Sequence, residues 1–285
     1  MADTLVIKHA GDSSQNAITW ENTRPLPDLG DVPAPHTAIL TRGNLNQLTA
    51  NRATQRGRLT AAEVALGGYD GADRIYGDTY ISSEDQRLGW TLNLGGDLPL
   101  AGYTIAVVTR AGDFESGDKT LVLGPDSSVG STVRGFNFIL RNGTALRTRH
   151  ATPDGDGRVL FSLSKPGSVA LGEWALVSLR WIRAGETNPD TAGAVAGDGH
   201  VEMAWCGPGV FGENADFGIE GNEIGTLEGP IGLIIPDFNS SSGEVDIPRI
   251  AAVFAWDVPV SRAHLQSFNT LIKPWLASFD VDIAG

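Results

Sequence analysis

From about residue 90 onward the chain is a succession of short apolar runs separated by turn chemistry, and this rhythm narrows its folds more than any other feature. Tyr103–Arg110 (YTIAVVTR), Thr120–Leu123, Phe136–Leu140, Arg158–Leu163, Trp174–Ile182 (WALVSLRWI), His200–Trp205, Gly232–Ile235 and Ile250–Trp256 are rich in β-branched, aromatic and aliphatic residues. Such side chains fit a pleated, half-buried surface. Between the runs lie DGDG, KPG, AGETNPDTAGAVAGDG and DFNSSSG, whose Gly, Pro, Asn and Asp favour turns and irregular loops. Asn142-Gly143 splits FNFILR from TALRTRH and reads as a hairpin turn, since both residues accept a positive φ. Glycine makes up 36 of the 285 residues, well above its usual share of roughly 7%, as so many turns require. No amphipathic helix separates the runs, which argues against βαβ units. The expected fold is mostly β: an antiparallel jelly-roll β-sandwich with one C-terminal helix and an irregular N-terminal region.

The helix has clear sequence signals. Ser261 can cap it, and Leu265, Phe268, Leu271, Ile272, Trp275 and Leu276 recur at spacings of three and four, a stripe for packing on the sandwich. Pro274 is expected to kink or weaken its last turn. The N-terminal region reads differently. LVIKHAG alternates like a strand and AITW could pair, but NTRPLPDLGDVPAPH is proline-rich and should be extended. Thr60-Ala-Ala-Glu63 is a capping-box pattern ahead of Val64, which predicts a short helix over 60–67. This region holds too few apolar residues for a core of its own, so it should lean on the sandwich or on another chain. Residues 1–87 are therefore expected to be an attachment and oligomerisation region, and 88–285 the sandwich domain.

Charge and cysteine content exclude several functions. The formal charge is −13, from 21 basic and 34 acidic residues. Such a surface repels phosphate backbones and anionic lipid, so no general nucleic-acid binding is expected. No run of about 18 apolar residues exists, so no membrane insertion is expected. MADTLVIKHAGD lacks the apolar core of a secretory signal. Cys206 is the single cysteine, which rules out disulfides within the chain and multi-cysteine metal sites. It follows an apolar strand and reads as a small buried hydrophobe. Between Asp31 and Glu63 there is no acidic residue, yet Arg42, Arg52, Arg56 and Arg58 fall there. This basic island is expected to contact an acidic partner. Residues 1–60 are accordingly expected to pack across a subunit boundary in a homo-oligomer, a trimer. Their deletion should then leave a folded sandwich that has lost its assembly.

The segment PRIAAVFAWDVPVSRAHLQSFNTLIKPWLASF resembles the closing strand and helix of concanavalin A-like (laminin-G-like) jelly rolls, with Ile250, Val253, Trp256, Asp257 and Ser261 at the matching places. GEWALVSLRW looks like the central strand of that family and LPLAGYTIAVVTR like its entry strand, so the resemblance covers roughly 88–280. The phrase ADTLVIKHAGD is similar to the start of phage or prophage virion proteins. Together these imply a non-enzymatic virion structural protein, a tail fibre or head-surface decoration. It would be assembled in the host cytoplasm, with other virion proteins and host-surface glycan as partners. The alternatives are a glycoside hydrolase on the same scaffold and a bacterial glycan-binding module.

Lectin-like modules expose aromatic residues on loops, and by loop position the candidates for carbohydrate contact are Tyr80, Phe211, Phe217 and Phe238. Trp174, Trp181, Trp205 and Trp256 lie within strand runs and are expected in the core, while Trp20 and Trp90 lie outside the best strands. No organic cofactor is expected. Calcium is the one ion the loops could hold, through Asp154 and Asp156 of DGDG or Asp113, Glu115 and Asp118, because flexible loops offer the oxygens a hard cation needs. The enzymatic relatives carry E-x-D-x-x-E or E-x-D-x-E on a strand. The only comparable run here is Glu244-Val-Asp246, which lacks the third carboxylate and meets Pro248. No catalytic residues are therefore assigned. The five histidines show no HExxH or H-x-H spacing, and no metal role is expected of them.

Overall fold

A computed structural model describes residues 24–53, 59–65, 74–83, 88–94, 98–99, 101–112, 117–124, 136–151, 158–197, 199–214, 231–233 and 248–285. Its strands are β1 (Thr37–Leu40), β2 (Thr60–Ala65), β3 (Arg74–Tyr76), β4 (Ile81–Ser83), β5 (Leu88–Asn93), β6 (Gly102–Arg110), β7 (Asp118–Leu123) and β8 (Phe136–Arg141). They continue with β9 (Ala145–Ala151), β10 (Arg158–Ser164), β11 (Trp174–Ile182), β12 (His200–Trp205), β13 (Val210–Asn214), β14 (Ile231–Leu233) and β15 (Ile250–Trp256). Helix α1 (Arg262–Ala277) follows, and a short 3₁₀ turn lies at Leu45–Thr49. Among the described residues, one sheet has eight strands in the order β13-β12-β11-β6-β15-β4-β3, with β1 also paired to β15. The other has seven among these residues, in the order β10-β9-β8-β7-β14-β5-β2. The strand pairs within both sheets are antiparallel, as the turn pattern predicts.

The inner faces meet in one apolar core, to which Tyr103, Ile105 and Val107 of β6, Trp205 of β12, Trp90 of β5 and Phe136 and Phe138 of β8 all contribute. A second core lies on the outer face of the eight-stranded sheet. There Ala106 and Val108 of β6 and Phe254 and Trp256 of β15 meet Leu265, Phe268, Ile272 and Trp275 of α1. At β6 and β15 both faces of this sheet are therefore dry, and that is why YTIAVVTR and IAAVFAW are almost continuously apolar rather than alternating. The Phe268 ring stands edge-on to Phe254 and to Trp256, with centroids 5.0 and 4.9 Å apart. Such contacts add to the area effect of burial. Ser261 caps α1 by accepting from the His264 amide. The last turn continues past Pro274 to Ala277, where Ser278 donates its amide to the Pro274 carbonyl. No helix among the described residues is long and apolar enough to cross a membrane.

The hairpin forms where the sequence places it. Asn142 and Gly143 take φ of 48° and 62°, and the register closes at Arg141 opposite Ala145. The helix predicted over 60–67 does not form. Thr60–Ala65 is β2, an edge strand that sets Glu63 opposite Trp90. Glu63, the residue that would close a capping box, instead accepts from the Tyr76 hydroxyl at 2.5 Å and pairs with Arg74 at 3.5 Å. Tyr76 in turn accepts from the Trp90 indole at 2.7 Å, so this network joins the two sheets along one edge. Tertiary partners here outweigh a local propensity of a few tenths to about 1 kcal/mol.

Residues 24–36 are extended and irregular, but they pack on their own chain. Leu26, Leu29, Val32, Ala38, Leu40 and Ala53 all join the core around α1. The Trp256 indole donates to the Pro33 carbonyl at 2.7 Å, and the His36 amide to Ala255 at 2.9 Å. The boundary expected at residue 87 falls between β4 and β5, which belong to the two sheets of one sandwich. LVIKHAG and AITW lie outside the described residues.

Candidate binding surface

Three half-buried side chains meet at one end of the eight-stranded sheet. Tyr80 precedes β4, Arg249 precedes β15 and Trp174 opens β11. The register brings these ends level, because Ile250 pairs with both Ile81 and Thr109 while Trp174 pairs with Arg110. The Tyr80 and Trp174 rings lie 6.1 Å apart, tilted by 44°. The Arg249 guanidinium sits 5.2 Å from the Tyr80 ring centroid. Backbone bonds fix the pair: Gly77 donates to the Tyr80 carbonyl at 2.8 Å, and Ala284 to that of Trp174 at 2.8 Å. Arg110 Nε donates to the Gly172 carbonyl at 2.7 Å and so holds the turn before β11, where Leu171 stands 68% exposed. Aromatic faces beside a guanidinium suit a ligand with both C–H faces and hydroxyls, the make-up of a sugar ring.

A second constellation lies toward the β13 edge of the same outer face. Arg180, Glu202 and Glu213 form a row across β11, β12 and β13 through the pairs Arg180–Glu202 and Glu202–Glu213. Arg180 is fully buried and Glu202 is 1% exposed, 3.0 Å apart. Arg180 also donates to Asp190 at 2.5 Å and to the Val260 carbonyl at 2.8 Å. Arg262, at the start of α1, bonds Glu202 at 2.5 Å and Glu213, while its amide donates to Asp190 at 2.8 Å. The network joins the sheet, the 183–197 loop and the helix. Burial raises the Glu202 pKa despite the opposing pull of Arg180 and Arg262. Burial, and then Arg180, lower that of His200. For Arg262 burial acts downward, but Glu202 and Glu213 outweigh it and raise the pKa. His200, Glu202 and Glu213 are the group among the described residues that could hold a metal ion.

Of the residues expected to touch carbohydrate, Tyr80 belongs to the aromatic patch. Phe211 is on β13, with β15, β6, β11 and β12 between it and β4, and one face is covered by Arg262 at 5.5 Å. Phe217 and Phe238 lie outside the described residues, as do Asp154, Asp156, Glu244, Asp246, Arg56 and Arg58. Arg42 and Arg52 both lie over the ring of Phe279, at 4.7 and 5.9 Å. Arg52 is buried within the chain, and burial together with neighbouring Arg42 lowers its pKa to about 10. The sequence pattern assigns Trp174 to the core, gives no role to Arg249 and expects no metal role of His200. The available signal for His200 was HVE, in which His200 and Glu202 share one strand face.

No family model and no curated protein matches the sequence. Solved structures do. The botulinum neurotoxin serotype D binding domain is matched with a TM-score of 0.52 at 10% identity, over 84% of this chain and 52% of that one. The receptor-binding domain of the C/D mosaic serotype gives 0.51 at 9%, with the same coverage. The binding domain of neurotoxin DC, solved in complex with rat synaptotagmin II, gives 0.50 at 11%, again over 84% and 52%. The chain thus spans about half the length of these domains, and at such identities the likeness is one of fold: a β-sandwich.

Proposed function

We propose that the chain is a non-enzymatic binding module that takes a carbohydrate at Tyr80, Trp174 and Arg249. The observation that carries this reading is the half-buried Tyr80–Trp174 pair with a guanidinium beside it. The neighbouring folds give support, since they are named as binding or receptor-binding domains. On the resemblance of ADTLVIKHAGD to virion proteins, the module would sit on a particle surface among other virion proteins and further copies of itself, facing host glycan. Calcium at Asp154 and Asp156 would belong to the same proposal.

The test is a glycan array probed with the labelled full chain, followed by titration of the best glycan. Loss of one stacking ring, about 0.5–1.5 kcal/mol beyond area burial, predicts up to roughly tenfold weaker binding by Tyr80→Ala. Arg249→Gln should weaken it as well. Absence of any glycan binding, or binding untouched by both substitutions, overturns the reading. So does polysaccharide hydrolysis that disappears in Glu244→Gln.

A further inference from the structure

We propose that His200, Glu202 and Glu213 form a site for a divalent transition-metal ion, and that Arg262 takes the place of the ion when none is bound. One ligand atom from each residue lies within 4.8 Å of the other two. The two glutamates face each other across β12 and β13, and His200 stands two residues from Glu202 on the same strand. His200 is only 4% exposed, yet its Nε2 is buried without a hydrogen-bond partner. Glu213 Oε2 is 3.8 Å away, beyond bonding distance. A buried polar atom left unpaired beside two carboxylates points to an absent partner.

The charge balance indicates what that partner is. Two guanidinium groups, Arg180 and Arg262, face three carboxyl groups, Asp190, Glu202 and Glu213. A dication in place of the singly charged Arg262 suits a cluster in which carboxyl groups outnumber guanidinium groups. Arg262 is the cation that can leave: its side chain is 37% exposed, whereas that of Arg180 is at 0%. Glu213, at 51%, has room to move inward. Zinc–ligand distances of about 2.0–2.2 Å place tetrahedral ligand atoms about 3.4 Å apart, so ligand atoms within 4.8 Å of one another need close by no more than about 1.4 Å. An imidazole nitrogen with carboxylate oxygens selects a borderline ion such as zinc over the hard cations calcium and magnesium. The position vacated by Arg262 opens to solvent and admits water as the fourth ligand.

The experiment uses the full chain without an affinity tag, dialysed against chelator and titrated with zinc chloride by calorimetry. Circular dichroism confirms that each variant is folded. Arg262→Ala should bind a single zinc at least about tenfold more tightly than the wild type, and adding His200→Ala should reverse that gain. If Arg262→Ala does not fold, the wild type and Glu213→Gln, altered at a half-exposed side chain, are melted with and without zinc. Zinc should then raise the melting temperature of the wild type and not of the variant. The proposal is overturned if Arg262→Ala gains no affinity, if His200→Ala leaves binding unchanged, or if zinc shifts both melting temperatures equally.

Discussion

Replacing Arg180 by methionine tests what the buried ionic network contributes. Arg180 is fully buried and holds Glu202 at 3.0 Å, Asp190 at 2.5 Å and the Val260 carbonyl at 2.8 Å. Methionine fills much of the volume but supplies no donor, so Glu202 stays buried with Arg262 as its remaining partner. Removing one member of a buried ion pair costs about 3–5 kcal/mol, and the surviving Arg262 contact puts the expectation near 3 kcal/mol. With a urea m-value of about 3 kcal/mol/M, the unfolding midpoint should fall by about 1 M at unchanged slope. Replacing both partners by apolar residues of similar shape leaves no orphaned charge. Arg180→Met/Glu202→Leu should therefore recover most of the loss, and the double-mutant cycle should report strong coupling. A single variant that loses less than about 1 kcal/mol, or a double variant worse than the single, would refute the reasoning.

Tyr76→Phe removes the hydroxyl between Trp90 and Glu63 and leaves a buried indole N–H unpaired. A loss of about 1–3 kcal/mol in urea unfolding is expected, and no loss would show that the edge network carries no stability. Burial pushes the Cys206 thiol up to about 12 against an opposing bond from Ser178, so native protein should not react with a disulfide reagent at about pH 8 until urea exposes the thiol. By linkage the neutral thiol favours the fold fully below pH 9.0, and that contribution is lost as the pH rises toward 12; wild type should lose stability there relative to Cys206→Ala. Deleting residues 1–53 strips β1 from β15 and uncovers Phe254 and Trp256. The truncated chain should bind a hydrophobic dye and lose near-UV dichroism, and a native-like spectrum would contradict the intramolecular packing.

How much of this was legible in the sequence depends on the range of the interaction. Strand runs, the Asn142-Gly143 turn and the Ser261-capped helix are set within a few residues, and each forms where its local signal lies. The capping box at Thr60 was also a local signal. It lost because Glu63 finds Tyr76 and Arg74, contacts fixed only once β2 and β3 close the same edge of the sandwich. The N-terminal arm reads as short of apolar residues because its few, Leu29, Val32 and Leu40, are spread along an extended path over a core supplied by strands and a helix far along the chain, from Ala106 to Ile283. Alternation could place His200 and Glu202 on one face. Glu213, however, arrives through the β12–β13 register and Arg262 from the helix, and no local pattern encodes either.

The position of the ionic network suggests why such a costly arrangement stands at that end of the sandwich. The apolar stripe of α1 is held by burial and ring contacts, which attract without strong direction and tolerate a shift along the sheet. Arg262 differs, because its side chain must reach Glu202 and Glu213 while its amide meets Asp190, and only one register satisfies all three. Buried ion pairs add little net stability over apolar packing, so register is the hypothesis that accounts for their presence here. The Arg180→Met/Glu202→Leu variant separates the two roles. Near-native midpoint with broadened aromatic NMR lines from Phe268 and Trp275 would mark a helix that packs but no longer packs one way. Sharp, wild-type-like lines would assign the register to the apolar stripe itself.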